Sequence, residues 1–484
     1  MRAVELSLWI NGRAAAQRWV VVASAALVIA GLAGVGNRPL DAQVPAQGAT
    51  QAAPAAVAIR AGRLLNGSGG PAIDNAVIVV VGDRIDAVGP AGSVTVPAGA
   101  RVVDLSAETV MPGLINGHEH PTVRAYVGPT DMRREGRNSL LVQLNMMTEP
   151  AAMQAARGVR NLRVELLSGI TTAYVVGEVD WLDVHLKRAA ELGFLPSPRL
   201  YLSGPWLTTS AGYFPFPQVN GPEAMRRFVR KNVEGGAHHI KMVVNNNGGM
   251  MTGPSAGRPF KGTNMTSEEM EAAVKEAHRL GVRVTVHASD IESEKLALNA
   301  GADSLQHAGN LSSEILDLLV KQKAAIVSTS GAGQQFFTEE DYEYLDNVAN
   351  SPAEWLARVR EAVKRTPPSS QPGGPRNTDR PAQLRAARDR NIPIAVGNDN
   401  MVGMLHFDIY HLVEAGFTPG QAIFAATGGG AKALGIEDEV GTIEKGKFAD
   451  IISIKGRPDQ NIQDLEKVNF IMVGGREYTG LTFR

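Results

Sequence analysis

Short apolar runs recur along the middle of this chain, spaced so that a helix fits between most of them, and this rhythm limits the fold more than any other feature. The runs are GITTAYVV (169–176), RLYLSGP (199–205), HIKMVVN (239–245), RVTVHAS (283–289), SLQHA (304–308), AAIVSTS (324–330) and PIAVGND (393–399). Another precedes them and ends in NGHEH (116–120). Between them lie helical patterns such as TSEEMEAAVKEAHRLG (266–281), which opens on a threonine cap and early glutamates and closes on glycine. Eight strands alternating with helices predict an α/β fold, a (β/α)8 TIM-like barrel. At 484 residues, 44% of them hydrophobic, the chain is long enough for such a barrel and a smaller unit besides.

The ends of the chain have a different texture. AIRAGRLLNGSGGPAIDNAVIVVVGDRIDAVGP (58–90) alternates β-branched runs with turn residues, and GTIEKGKFADIISIKG (441–456) and VNFIMVGGREYTG (468–480) repeat the pattern. These segments predict a small β-sandwich-like domain built from 58–107 and 440–484, with the barrel, 108–439, inserted between them. Ahead of it, Arg13 and Arg18 precede an apolar stretch from Trp19 to Gly36 and then small residues, the order of a secretory signal. Residues 1–42 are therefore read as a signal peptide, with an uncleaved anchor as the alternative, and either places the body outside the cytoplasm, periplasmic or secreted. QVPAQGATQAAPAAV (43–57) is read as a disordered linker.

In barrels of this kind the chemistry sits at the C-terminal ends of the strands, and the polar residues of the runs fall there: His118 and His120, Lys241, His287, His307 and Asp399. Side chains two apart on a strand point to the same side, so His118 and His120 can grip one ion together. The chain has no cysteine, so a metal must be held by imidazole, carboxylate or lysine chemistry. A formal net charge of −1, with both signs mixed along the chain, offers no basic face for nucleic acid and points to small-molecule partners. No membrane association is expected beyond the N-terminal stretch, and a homo-oligomer is left open.

These residues resemble the amidohydrolase superfamily, in particular its imidazolonepropionase-like and prolidase-like metal-dependent branch. The stretch EAGFTPGQAIFAATGGGAKALGIEDEVGTIEKGKFADIISI (414–454) is similar to that family's C-terminal signature. The resemblance implies that His118 and His120 are first-strand metal ligands and that Lys241 is N-carboxylated and bridges two metals. It also implies that His287 and His307 bind the second ion and that Asp399 is the eighth-strand acid. A neutral lysine amine can add CO2 to give a carbamate with two anionic oxygens, whereas an ammonium cannot ligate a cation. The ligand set suits Zn2+, two per chain, with Mn2+, Co2+ or Fe2+ as alternatives. The implied reaction is hydrolysis of a C–N amide bond, in a dipeptide or N-acyl amino acid, by a metal-bridging hydroxide with Asp399 as general base and then acid.

The sequence departs from the family pattern at several points. Asn116 stands where an aspartate is usual, Asn398 where a threonine is usual, Ser289 where relatives carry a second histidine, and Tyr213 where a loop histidine is expected. Tyr213, Ser289 and His406 are accordingly the candidate substrate contacts. His239 is expected in the core, His238 facing away from it, and His185 and His278 on the surface. Met250 and Met251 follow Lys241 and belong with loop packing or the pocket floor. The long connection 331–392 contains TPPSSQPGGPRNTDRP (366–381), read as loop, which either covers the site or runs over the surface. The alternatives to an amide hydrolase are a mononuclear deaminase of a cyclic or aromatic substrate, for which HASD (287–290) is a faint echo, and a non-catalytic binding protein on the same barrel.

If the apolar stretch is a cleaved signal, the mature chain begins between Gly34 and Gln43. Intact-mass measurement of exported protein checks this; a full-length, membrane-embedded species contradicts it.

Overall fold

The computed structural model describes residues 56–123, 148–210, 218–244, 263–329, 339–365, 379–399 and 401–482. The segment read as a signal and most of that read as a linker, Tyr213, Met250 and Met251 lie outside these residues, as do 366–378 of the long connection.

The β-branched N-terminal runs form β1 (Ala56–Leu64), β2 (Ile73–Val81), β3 (Arg84–Pro90) and β4 (Arg101–Pro112). The C-terminal ones form β13 (Ile451–Ile454), β14 (Val468–Val473) and β15 (Arg476–Glu477). All belong to one hydrogen-bonded sheet in the order β15-β14-β13-β4-β1-β2-β3. The two ends of the chain thus meet as expected, but in a single mixed sheet rather than a sandwich-like pair. The β2–β3 hairpin turns on Gly82, at φ 62°, where glycine pays no Cβ penalty. Ile59, Ile78, Ile85, Val110, Ile451, Phe470 and Met472 make a core of the sheet's own.

Each of the eight apolar runs contains a strand, and all recorded pairings among these strands are parallel. β5 (Leu114–Glu119), β6 (Ile170–Val175) and β7 (Arg199–Tyr201) form one arc, and β8 (His239–Val243), β9 (Arg283–Ala288), β10 (Ser304–His307), β11 (Ala325–Ser328) and β12 (Ile394–Val396) form a second. Single parallel bridges, Leu207–Met242 and Glu119–Asp399, link the arcs at both junctions. Helices pack outside, giving a TIM-barrel-like α/β arrangement. Helix Ser267–Arg279 has the capping box its sequence predicts: Thr266 accepts from the Glu269 backbone, and the Glu269 side chain accepts from the Thr266 N–H. Its buried face, Met270, Ala273, Val274 and Ala277, follows the helical repeat.

One residue separates the two architectures. Gly113 joins β4 to β5, and a Cβ there would lie 2.0 Å from Thr171 Oγ1, so only glycine lets the strand pass. Arg199 on β7 forks onto Asp450, beside β13, at 2.9 and 3.0 Å. The Arg199 and Arg84 guanidiniums each lie over the Phe448 ring, 3.5 and 3.4 Å from its centroid. The small sheet is thereby fixed to the first and third strands of the parallel set.

Between β11 and β12 the long connection contains helices Glu339–Asn347, Pro352–Arg365 and Arg380–Asp389. The loop expected over 366–381 therefore fails at its last two residues. Pro381 stands in the first turn of a helix, where its missing N–H is not needed.

The first and eighth strands approach at another glycine. A Cβ on Gly397 would fall 2.5 Å from His118 Cβ and 2.7 Å from its backbone nitrogen. Gly397→Ala should therefore cost about 1–3 kcal/mol of stability by overpacking. Gly92→Ala, with nothing within 4 Å of the added carbon, should be close to neutral. Urea unfolding of the two variants checks the difference.

Candidate metal centre

The end of β5 puts His118 and His120 on the same side, with their Nε2 atoms 3.3 Å apart. Their other ring nitrogens decide what that means. His118 Nδ1 lies 2.7 Å from Gln306 Oε1, and His120 Nδ1 lies 2.9 Å from the carbonyl of Gly177. The Gly177 oxygen only accepts. The Gln306 amide is oriented by donating to Thr285 Oγ1 at 2.7 Å, so its oxygen faces His118. Both Nδ1 atoms therefore carry the proton, and two bare Nε2 lone pairs face each other. Asp399 Oδ1 stands 3.8 and 4.0 Å from them. The ligating atoms of His118, His120 and Asp399 all fall within 4.8 Å of one another. Such a set repels itself unless a cation lies among it.

The other histidines join by their rings. His307 is 4.6 Å from His118 and His287 is 4.5 Å from His307, centroid to centroid. His118 and His120 are buried, whereas His287, His307 and Asp399 are half-buried, so the cluster has an open side. Burial, with Lys241 close by, holds His118 well below the usual imidazole range. The same causes push His120 down to about 3, and His287, where His120 adds its charge, to about 3. His307 is lowered by burial, then by His287 and Lys241. All four imidazoles are neutral at pH 7, the form that binds metal.

Lys241, on β8, is buried and acts electrostatically on the four histidines. Burial drops its pKa to about 7, with Asp399 acting in the opposite direction. A substantial fraction of a normally cationic side chain is then free amine at neutral pH. The structure thus brings together five of the six strand-end residues by contact, and Lys241 by its electrostatic reach to all four histidines.

The candidate substrate contacts fare differently. Ser289 is exposed just past β9. His406 is fully buried in helix Leu405–Glu414. It lies by Glu466, Arg360 and the backbone of Leu465 and Gly403. His239 stacks on Tyr174 at 3.6 Å with 13° between planes, a core residue as expected. His238 turns the other way and accepts from Leu202 N at 3.1 Å.

The two asparagine departures touch each other. Asn116 Nδ2 donates to Asn398 Oδ1 at 2.6 Å and also to Glu119, and Asn398 N donates back to Asn116 Oδ1 at 3.2 Å. Asn398 Nδ2 donates to Glu165 Oε1 at 2.8 Å, which also accepts from Gly403 N. Burial, with Glu165, Glu178 and Asp399 nearby, raises Glu119 well above the carboxylate range, and burial lifts Glu165 to about 7. An aspartate at 116 would add another acid to this crowd, whereas the asparagine amide supplies donors. Sequence reading missed Gln306, Glu165 and this pairing, because nothing periodic marks a hydrogen bond between residues hundreds of positions apart.

Backbone strain is concentrated here. Eight non-glycine residues among those described have positive φ, and His307 (68°), Ala308 (47°) and Asp399 (58°) are three of them. Each costs about 1–2 kcal/mol, held by the surroundings.

The chain is similar to known proteins over most of its length. The Amidohydrolase family profile matches residues 109–478. The ochratoxinase of Aspergillus niger is 25% identical over 458 residues, spanning 87% of this chain and 86% of its own. The 5-methylthioadenosine/S-adenosylhomocysteine deaminase of Moorella thermoacetica is 24% identical over 405 residues, spanning 80% of this chain and 83% of its own. Among solved structures, a Xaa-Pro dipeptidase with bound methionine in the active site superposes with a TM-score of 0.67 at 27% identity, over 88% of this chain and all (100%) of that one.

Glu165→Ala removes the acceptor for two buried donors, Asn398 Nδ2 and Gly403 N. It should lower stability by about 1–3 kcal/mol in urea unfolding. Glu165→Gln keeps a carbonyl oxygen and should lose clearly less; equal stabilities of the alanine variant and the wild type would contradict the network.

Proposed function

This chain belongs to the amidohydrolase family and is a hydrolase acting on carbon–nitrogen bonds, and on that premise we propose that it cleaves an amide of the dipeptide or N-acyl amino acid type at a centre of two divalent ions. The observation that carries the reading is the pair of bare His118 and His120 Nε2 atoms, 3.3 Å apart and facing the Asp399 carboxylate. Neutral imidazoles, a carboxylate and a buried lysine near its half-neutral point are a fitting donor set for Zn2+. His118, His120, His287, His307 and Asp399 would hold the ions, with Lys241 bridging them as a carbamate. Bound divalent ions supply a water of lowered pKa and an electrophile for the carbonyl.

The chain's own residues do the rest. Gln306 and the Gly177 carbonyl lock the two first-strand rings so that Nε2, not Nδ1, faces the site. Asp399 takes the proton released when water oxygen bonds to the carbonyl carbon and delivers it to nitrogen as the C–N bond breaks. Its half-exposed carboxylate, on the open side of the cluster, can reach both partners. Lys241, as free amine, adds CO2 and loses a proton to become the carbamate. The likeness to a Xaa-Pro dipeptidase supports a peptide-like substrate.

A second reading, a deaminase with one ion, is favoured by the likeness to the Moorella thermoacetica deaminase. Lys241 weighs against it, since a single-ion site has no use for a bridging carbamate. The N-terminal apolar stretch supports export, with the small β domain and the barrel as the mature body. Among the described residues no helix is long and apolar enough to cross a membrane.

The test combines metal counting with rescue. Wild-type protein should hold two ions per chain and turn over members of a panel of dipeptides and N-acyl amino acids. Lys241→Ala should lose at least one ion and nearly all activity, and acetate or propionate with excess Zn2+ should restore part of it. Lys241→Arg should not respond, because its guanidinium stays charged and fills the space. Two ions and full activity in Lys241→Ala would refute the bridge; one ion in the wild type with turnover of an aminated ring would establish the deaminase.

A further inference from the structure

We infer that Arg380 is a positioning residue for this centre: its guanidinium clamps the strained turn that presents His307 to the other histidines. The inference rests on the metal reading above.

β10 ends in a three-residue turn. Ala308 N donates to Gln306 O at 2.8 Å, with His307 at the centre at φ 68°. This is the positive-φ γ-turn, the rare and strained kind, and Ala308 continues in the left-handed region at 47°. Two consecutive side-chain-bearing residues hold a conformation that suits glycine. The turn is also where the site is joined, since Gln306 orients His118 and the His307 ring lies against both His118 and His287. A relaxed backbone would carry the His307 ring out of that contact.

Arg380 meets this turn from outside the strands. Its Nη2 donates to the His307 carbonyl at 2.8 Å and its Nη1 to the Ala308 carbonyl, so the two terminal nitrogens take the two strained residues in succession. Nη2 also reaches Ser328 Oγ at the end of β11, at 3.4 Å. The rigid, planar guanidinium is pre-organised to span consecutive carbonyls in this way. Arg380 opens helix Arg380–Asp389, where the helix dipole disfavours a cation. Glu294 and Asp408 favour the charged guanidinium, while burial lifts Glu294 itself to about 8; Glu294 accepts Asn310 N at 2.9 Å just beyond the turn. An arginine placed against the dipole, with buried acid facing it, is there for the carbonyls.

The experiment measures zinc affinity by competition with a chromophoric chelator and the visible spectrum of the cobalt-loaded protein, with thermal unfolding as the check on folding. Arg380→Ala should weaken zinc binding about 10–100-fold, the usual effect of losing a partner behind a ligand, and alter the cobalt spectrum. Arg385→Ala, on the same helix but donating to Ala415 O, should do neither. Arg380→Lys, whose donors all sit on one nitrogen, should recover only part of the affinity. Ala308→Gly added to Arg380→Ala should recover more, because glycine holds the left-handed turn unaided. Unchanged zinc affinity in Arg380→Ala, or no recovery on adding Ala308→Gly, overturns the clamp. If Arg380→Ala does not fold, Arg380→Lys is read instead, and wild-type affinity there overturns it. A wild-type protein that binds no zinc overturns the metal reading itself, a result distinct from failure of the clamp alone.

Discussion

Two unprotonated imidazole nitrogens 3.3 Å apart in a buried pocket repel one another, and much of the structure around the strand ends holds them there. Each ring is locked from behind by an oxygen acceptor, one from β10 through Gln306 and one from the Gly177 carbonyl after β6. The first strand is fixed from below by its passage through Gly113 and from the side by Gly397, where no side chain could be accommodated. Without these close approaches the rings could rotate apart and satisfy their lone pairs elsewhere.

The small mixed sheet serves the same end. β4 runs into β5 through one residue, so displacement of the sheet moves His118 and His120 directly. The Arg199–Asp450 fork and the two guanidiniums on Phe448 join the sheet to β7 as well. The terminal segments thus brace the strand set as well as enclosing a core of their own.

What could be read from the sequence was whatever repeats locally. Apolar runs with polar ends gave all eight strands and the strand-end residues, because alternation and helical repeats follow from backbone geometry. The Thr266 cap was legible for the same reason. The partners behind the strand-end residues were not: Gln306, Glu165 and Arg380 act through hydrogen bonds across long separations, which leave no periodic trace. The departures at Asn116 and Asn398 were visible one at a time, but only the fold makes them a pair.

That pair and Arg380 solve one physical problem on two sides of the site. His307 and Asp399 both sit in left-handed backbone, which relaxes unless something outside the turn opposes it. At Asp399 the opposition comes through Asn398, held by Asn116 on β5 and by Glu165 on helix Ala151–Leu167, which also takes the Gly403 N–H downstream. At His307 it comes through Arg380, from the last helix of the connection between β11 and β12. Parallel strands alone place residues at the mouth of the barrel-like set, but they cannot hold strained turns, because each strand ends where its hydrogen bonds end. The outer helices must reach back over the strand ends to do so. The long connection, whose course the sequence left open, delivers a guanidinium to the His307–Ala308 turn through its last helix.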